Sequence, residues 1–190
     1  YADEASGALY LAFLDQSQQI RVNQWDAASG VWQSLGGTVG AAHSASGLSL
    51  AACGGILYTA FWDTSGYPVV SRWSGGAWSA PSRIGDVQYP MALQLVTDDS
   101  GLYAAYEDTS DSNAHRIVIR DLNGGVVAVS PMAAQSFCNP TVVKDGSKFY
   151  IAYSKFAEGS PAQIDAYDTA TQSWQPVYTY RSARGSANLL

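Results

Sequence analysis

Flat aromatic rings beside a guanidinium are the chemistry-bearing pattern of this 190-residue chain. Trp25, and Trp73 with Arg72 directly before it, stand at a turn; Arg21 and Tyr167 occupy comparable stretches. Such rings stack on the apolar faces of sugars, while a nearby Arg fixes oxygen atoms of the ligand. The same ring types also fill the space between packed sheets. Trp32, Trp78 and Trp174 recur in register at the head of a strand and are read as packing. Trp25, Trp73, Arg72, Arg21 and Tyr167 are read as the ligand contacts.

Other chemistry is not indicated. His43 and His115 are far apart in sequence and are expected to face solvent, so neither a metal site nor a cofactor is expected. Asp98-Asp99-Ser100-Gly101 and Asp3-Glu4-Ala5-Ser6-Gly7 carry oxygen donors, but Asp, Ser and Gly together are ordinary turn chemistry. No Gly-x-Ser-x-Gly elbow occurs, and none of the 16 acidic residues is marked out as a catalytic pair. Cys53 and Cys138 are expected as unbridged, small buried residues. A net charge of -6 offers no cationic field to phosphate backbones, which argues against nucleic acid as a partner. The longest apolar runs, such as Leu9 to Leu14, are strand-sized, so no membrane insertion is expected. The chain begins at Tyr1 without an initiator Met, as expected of a processed or cut product.

The elements that hold these residues are written four times. Leu9-Tyr10-Leu11-Ala12-Phe13, Leu57-Tyr58-Thr59-Ala60-Phe61, Leu102-Tyr103-Ala104-Ala105-Tyr106 and Phe149-Tyr150-Ile151-Ala152-Tyr153 share a Tyr and an Ala at fixed places. The intervals between their tyrosines are 48, 45 and 47 residues. After each motif come a turn (Asp15, Asp63, Asp108, Lys155), a second run such as Ile20 to Trp25 or Val69 to Trp73, another turn and an aromatic-led run. Before three of the motifs lies one more short run: Leu48 to Ala52, Ala92 to Thr97, Thr141 to Lys144. Each unit is therefore four short antiparallel strands, apolar on both faces of the Tyr strand, as a sheet between two sheets requires. Four strands in about 47 residues make a propeller blade. The expected fold is an all-β propeller over residues 1–190 as a single domain, with its Tyr motifs at 9–13, 57–61, 102–106 and 149–153.

Ser186-Ala187-Asn188-Leu189-Leu190 followed by Tyr1-Ala2-Asp3-Glu4 matches Met91 to Asp99, so one innermost strand is expected to be shared between the two ends. A four-bladed ring and half of an eight-bladed dimeric ring both satisfy this match. The corresponding states are a monomer and a seam-sharing homodimer.

Ile20-Arg21-Val22-Asn23-Gln24-Trp25-Asp26 with Val31-Trp32-Gln33-Ser34-Leu35-Gly36-Gly37, and Arg72-Trp73-Ser74-Gly75-Gly76-Ala77-Trp78, resemble blade repeats of bacterial and fungal propeller lectins. Tyr167-Asp168-Thr169-Ala170-Thr171-Gln172-Ser173-Trp174 is also similar to kelch and sialidase blade patterns, with the kelch Gly-Gly pair missing and the Asp-box spacing one residue too long. The lectin resemblance implies a secreted or cell-surface binding module without catalysis, directed at a glycan or surface polysaccharide at the blade rims. Two other readings stay open: an enzyme acting on polysaccharide, glycosidase- or sialidase-like, and a structural protein-interaction propeller on a bacterial surface.

Overall fold

A computed structural model describes residues 1–98, 101–112, 114–131, 137–155 and 162–180. Among them every regular element is a strand, and the strands form four antiparallel sheets. Sheet 1 contains β1 (Tyr10–Leu14), β2 (Gln19–Asp26) and β3 (Val31–Ser34), with β4 (Gly40–Ala41) also against β2. Sheet 2 contains β5 (Ser49–Cys53), β6 (Ile56–Trp62), β7 (Pro68–Ser74) and β8 (Ala77–Trp78), with β9 (Ser82–Arg83) also against β7. Sheet 3 runs β10 (Met91–Asp98), β11 (Gly101–Asp108), β12 (Arg116–Asp121) and β13 (Val126–Val129). Sheet 4 runs β14 (Phe137–Asp145), β15 (Lys148–Lys155), β16 (Ala162–Asp168) and β17 (Ser173–Tyr180). No helix among the described residues is long and apolar enough to cross a membrane.

The Tyr motifs lie on β1, β6, β11 and β15. In sheets 2, 3 and 4 that strand is second, beside an innermost strand β5, β10 or β14. In sheet 1 the innermost place is held, among the described residues, by Tyr1 and Ala2. The Tyr1 amino group donates to the Tyr10 carbonyl at 2.9 Å, the Tyr10 amide donates to the Tyr1 carbonyl at 2.8 Å, and Ala2 bridges Leu9. The expected partners at 186–190 lie outside the described residues.

Alternation along the Tyr strand joins sheet to sheet. The Tyr and Ala side chains form a forward face, towards the following sheet, and the flanking apolar residues form a backward face. Tyr10, Ala12 and Leu14 pack against Leu57 and Phe61. Tyr58 and Ala60 pack against Ala104 and Tyr106. Tyr103 and Ala105 pack against Phe149, Ile151 and Tyr153. Ala60, Ala105 and Ala152 are fully buried, as expected where backbones approach closely. A strand apolar on both faces should bury its motif tyrosines largely, yet Tyr10, Tyr58, Tyr103 and Tyr150 are half-buried. Tyr10 and Tyr58 border open grooves, and full burial falls to the opposite-face Tyr106 and Tyr153.

The three apolar clusters join sheets 1–2, 2–3 and 3–4, and none joins sheet 4 to sheet 1 among the described residues. Cys53 is a free thiol at the β5–β6 hairpin; Cys138, expected to be unbridged with it, has its side chain outside the described residues. Asp98 pairs with Lys144 at 2.6 Å, and the rest of the Asp98-to-Gly101 turn, residues 99 and 100, lies outside the described residues.

Candidate functional site

Residues directly opposite in an antiparallel pair share a face. Tyr58 lies opposite Arg72, so Arg72 stands on the forward face of sheet 2. There a cleft of ≈ 250 Å³ opens between Tyr58, Ser71, Arg72, Ser79 and Ser82 on one side and Leu122 of sheet 3 on the other. Its wall is held by short polar contacts. The buried Ser71 hydroxyl donates to the Ser79 carbonyl at 2.7 Å, and the Arg72 amide donates to the Ser79 hydroxyl at 3.1 Å. Val70 and Leu122 supply apolar surface. The Arg72 side chain is exposed and makes no ion pair among the described residues. Among the described residues no carboxylate lines the cleft.

This arrangement occurs in one copy only. The positions opposite Tyr10, Tyr103 and Tyr150 hold Gln24, Asp121 and Ala166. Four chemically equivalent sites are therefore not present.

The other candidates do not gather around Arg72. Trp25, Trp73 and Tyr167 occupy one repeat position, on the backward face. In sheet 2 that face is covered by sheet 1: the Trp73 ring lies so close to Gly36 that a Cβ there would be 2.4 Å from Cζ3. Trp73 is tilted against Trp78 at 5.4 Å, and the Trp78 indole Nε1 donates to the Leu35 carbonyl at 2.9 Å. In sheet 4, Tyr167 is 8% exposed and packed on Phe149 and Trp174, which leaves its ring to the core. In sheet 1 no described sheet covers that face, so Trp25 and its edge-on partner Trp32, 5.5 Å away, keep accessible surface. Trp32, expected in the core, is 42% exposed for the same reason. Arg21 shares that face but is engaged, its Nε donating to the Asp15 carboxylate at 2.9 Å. The Gln19 amide, followed by the Arg21 side chain, holds the Asp15 carboxyl below its usual range.

The serines around Arg72 carried no sequence signal beyond their strand register. His115 departs from the solvent-facing expectation, its Nδ1 lying 2.7 Å from Oε1 of Glu107, whose side chain is 1% exposed. Among the described residues no cluster of three or more His, Cys, Asp or Glu is placed to hold a metal ion.

No protein family and no curated protein matches the sequence. Solved structures do match in three dimensions. The Aleuria aurantia lectin in complex with Fucalpha1-6GlcNAc superposes with a TM-score of 0.66 at 12% identity, over 95% of this chain and 62% of that one. The SapL1 lectin in complex with alpha methyl fucoside gives 0.63 at 17%, over 92% and 60%. A Bacteroides ovatus xyloglucan GH43B gives 0.52 at 16%, over 90% and 38%. The fold is that of propeller-type proteins. The chain spans less than two thirds of the length of each of these structures. The neighbours include carbohydrate-binding lectins and enzymes acting on polysaccharide, so the shared fold leaves function to the site.

Proposed function

We propose that this chain is a non-catalytic carbohydrate-recognition module whose contact surface is the Arg72 cleft between sheets 2 and 3. The observation that carries the reading is an exposed Arg72 without an ion-pair partner among the described residues, in a cleft lined by serines, a tyrosine and two apolar residues. Sugars present such alternation themselves, with hydroxyls around an apolar ring face. A carboxylate pair for glycoside hydrolysis has no counterpart in the cleft lining, which favours binding over the enzymatic reading. A polysaccharide ligand goes with a secreted or cell-surface location, as the lectin resemblance implies.

The test is a glycan array containing fucosides, neutral hexosides and uronic-acid oligosaccharides, with calorimetric titration of the best ligand. Arg72→Ala is expected to weaken binding about tenfold or more, a loss of roughly 1.4 kcal/mol. Because the side chain is exposed, the melting temperature should stay within about 2 °C. Equal affinity of both proteins for every glycan, or turnover of chromogenic glycosides by the wild type, would overturn the proposal.

A further inference from the structure

We propose that the Arg72 cleft selects acidic sugars, taking an oxyanion of the ligand, a uronate carboxylate or a sulfate ester, on the Arg72 guanidinium. The inference rests on the reading of the cleft as the glycan contact and adds the class of glycan. Three observations carry it.

First, Arg72 is unengaged where the other described arginines are engaged. Five arginines lie among the described residues. Arg21 donates to the Asp15 carboxylate at 2.9 Å, Arg83 lies over the Tyr67 ring at 3.5 Å, and Arg116 donates to the Ser130 carbonyl at 3.3 Å. Arg120 donates from Nε to the Tyr106 hydroxyl at 2.7 Å and from a terminal nitrogen to the Gly124 carbonyl. The Arg72 guanidinium has no hydrogen bond, ion pair or ring contact among the described residues, while its backbone is fixed through Ser79. A planar fork of N–H donors is therefore free at the cleft.

Second, the hydroxyls beside it already donate elsewhere. The Ser71 hydroxyl donates to the Ser79 carbonyl at 2.7 Å, the Ser79 hydroxyl to the Ala80 carbonyl at 3.2 Å, and the Ser82 hydroxyl to the Val70 carbonyl at 3.4 Å. Their oxygens keep lone pairs, so these serines accept from a ligand's hydroxyls. Between the serines and Arg72, a ligand's own acceptor oxygens are left to the guanidinium. A neutral sugar offers it hydroxyl oxygens. A carboxylate or sulfate offers two charged oxygens that match the fork, and charge-assisted hydrogen bonds are roughly twice as strong as neutral ones.

Third, a second guanidinium faces the same seam. Ala104 lies opposite Arg120 and packs with Ala60, so Arg120 stands on the wall of sheet 3 that faces sheet 2. Ala104 follows Tyr103, the repeat equivalent of Tyr58, which sets Arg120 one residue, about 3.3 Å, from the level of Arg72 across the seam. Leu122, which lines the cleft, is two residues on. Both acceptors of Arg120 are neutral, and it forms no ion pair among the described residues. Burial raises the Tyr106 hydroxyl above its usual range; the Arg120 charge opposes that rise, and the charges of Asp108 and Asp86 add to it more weakly. In a chain of net charge -6, two guanidinium groups thus share one seam without an ion-pair partner among the described residues, and an anion is drawn there.

The test is calorimetric titration with matched oligosaccharides. Trimers of galacturonate, glucuronate and mannuronate are each set beside the carboxyl-reduced neutral form, together with sulfated galactose trimers. An acidic trimer is expected to bind about tenfold or more tighter than its neutral form. Arg72→Gln, which removes the charge from an exposed side chain, should bring the two within about twofold. Tighter binding of a sulfated trimer than of the uronates supports a sulfate ester as the oxyanion, and the reverse order supports a carboxylate. Neutral forms that bind as tightly as acidic ones, and are weakened alike by Arg72→Gln, overturn the acidic preference and leave the cleft a glycan site. An acidic preference that survives Arg72→Gln removes the oxyanion from Arg72. Silence of every trimer overturns this inference, and silence of the whole glycan array overturns the carbohydrate reading with it.

Discussion

Most polar side chains here serve turns, which is why so many acidic residues produce so little chemistry. Asp15 accepts the amides of Ser17 and Gln19, Asp63 those of Ser65 and Tyr67, and Asp121 those of Asn123 and Gly125. Asp26, Asp108 and Asp168 each accept the amide two residues on. Asp15 and Asp26 are both held below the usual carboxyl range, Asp15 first by the Gln19 amide and Asp26 first by the Ser29 hydroxyl. A carboxyl whose pKa is lower in the folded chain stabilises the fold above its unfolded value of about 3.9, and that stabilisation is lost as pH falls through the folded value. Melting temperature is therefore expected to drop below about pH 4. Asp15→Asn should flatten that acid limb; an identical limb in the variant would assign the loss to other groups. Gly36 makes a second test at this scale. Gly36 and Gly54 have φ of +75° and +58°, but only Gly36 faces a neighbour, the Trp73 ring. Alanine at either costs about 1–2 kcal/mol of left-handed backbone. Gly36→Ala should lose about 1–3 kcal/mol more through overpacking, measured by urea unfolding, and equal losses would remove Trp73 from the seam.

The strands were legible because the Tyr motif repeats residue by residue, and its alternation tells which side chains face which neighbour. The motif strands, their hairpin partners and three of the four innermost strands fall within a few residues of where the sequence puts them. The third copy departs at one turn. Asp121 matches Asp26 and Asp168 as a turn residue, yet it lies opposite Tyr103, the place held by Arg72 opposite Tyr58. β12 ends two residues earlier relative to the motif, and a turn signal alone cannot report that shift. Site residues were harder for a related reason. Trp25, Trp73 and Tyr167 look alike in sequence because they occupy one repeat position, and what separates them is whether another sheet covers it. Covering is a property of neighbours, which local sequence does not encode. The Glu107–His115 contact was missed likewise, because the two lie on facing sides of a hairpin whose register had to be known first.

At the scale of the whole molecule, blades in series make a nearly one-dimensional solid in which each sheet is stabilised by its neighbours. Sheets 2 and 3 are packed on both faces, whereas sheet 1 rests on sheet 2 alone and keeps only Tyr1 and Ala2 as an inner strand among the described residues. End units held by one interface open more readily than interior ones. Amide exchange is therefore expected to be fastest in β1, β2 and β3, and slowest in β6, β11 and β12. Phe61 makes the argument sharper, since it is fully buried in the cluster joining sheets 1 and 2. Phe61→Ala should cost about 3–5 kcal/mol of local stability. If the sheets are coupled only to their neighbours, that loss appears as faster exchange throughout sheet 1 and on β6, while β15 and β16 keep their protection. Uniform acceleration across all four sheets would instead mean that the arc unfolds as one cooperative unit, with the clusters between sheets no weaker than the hydrogen bonds within them.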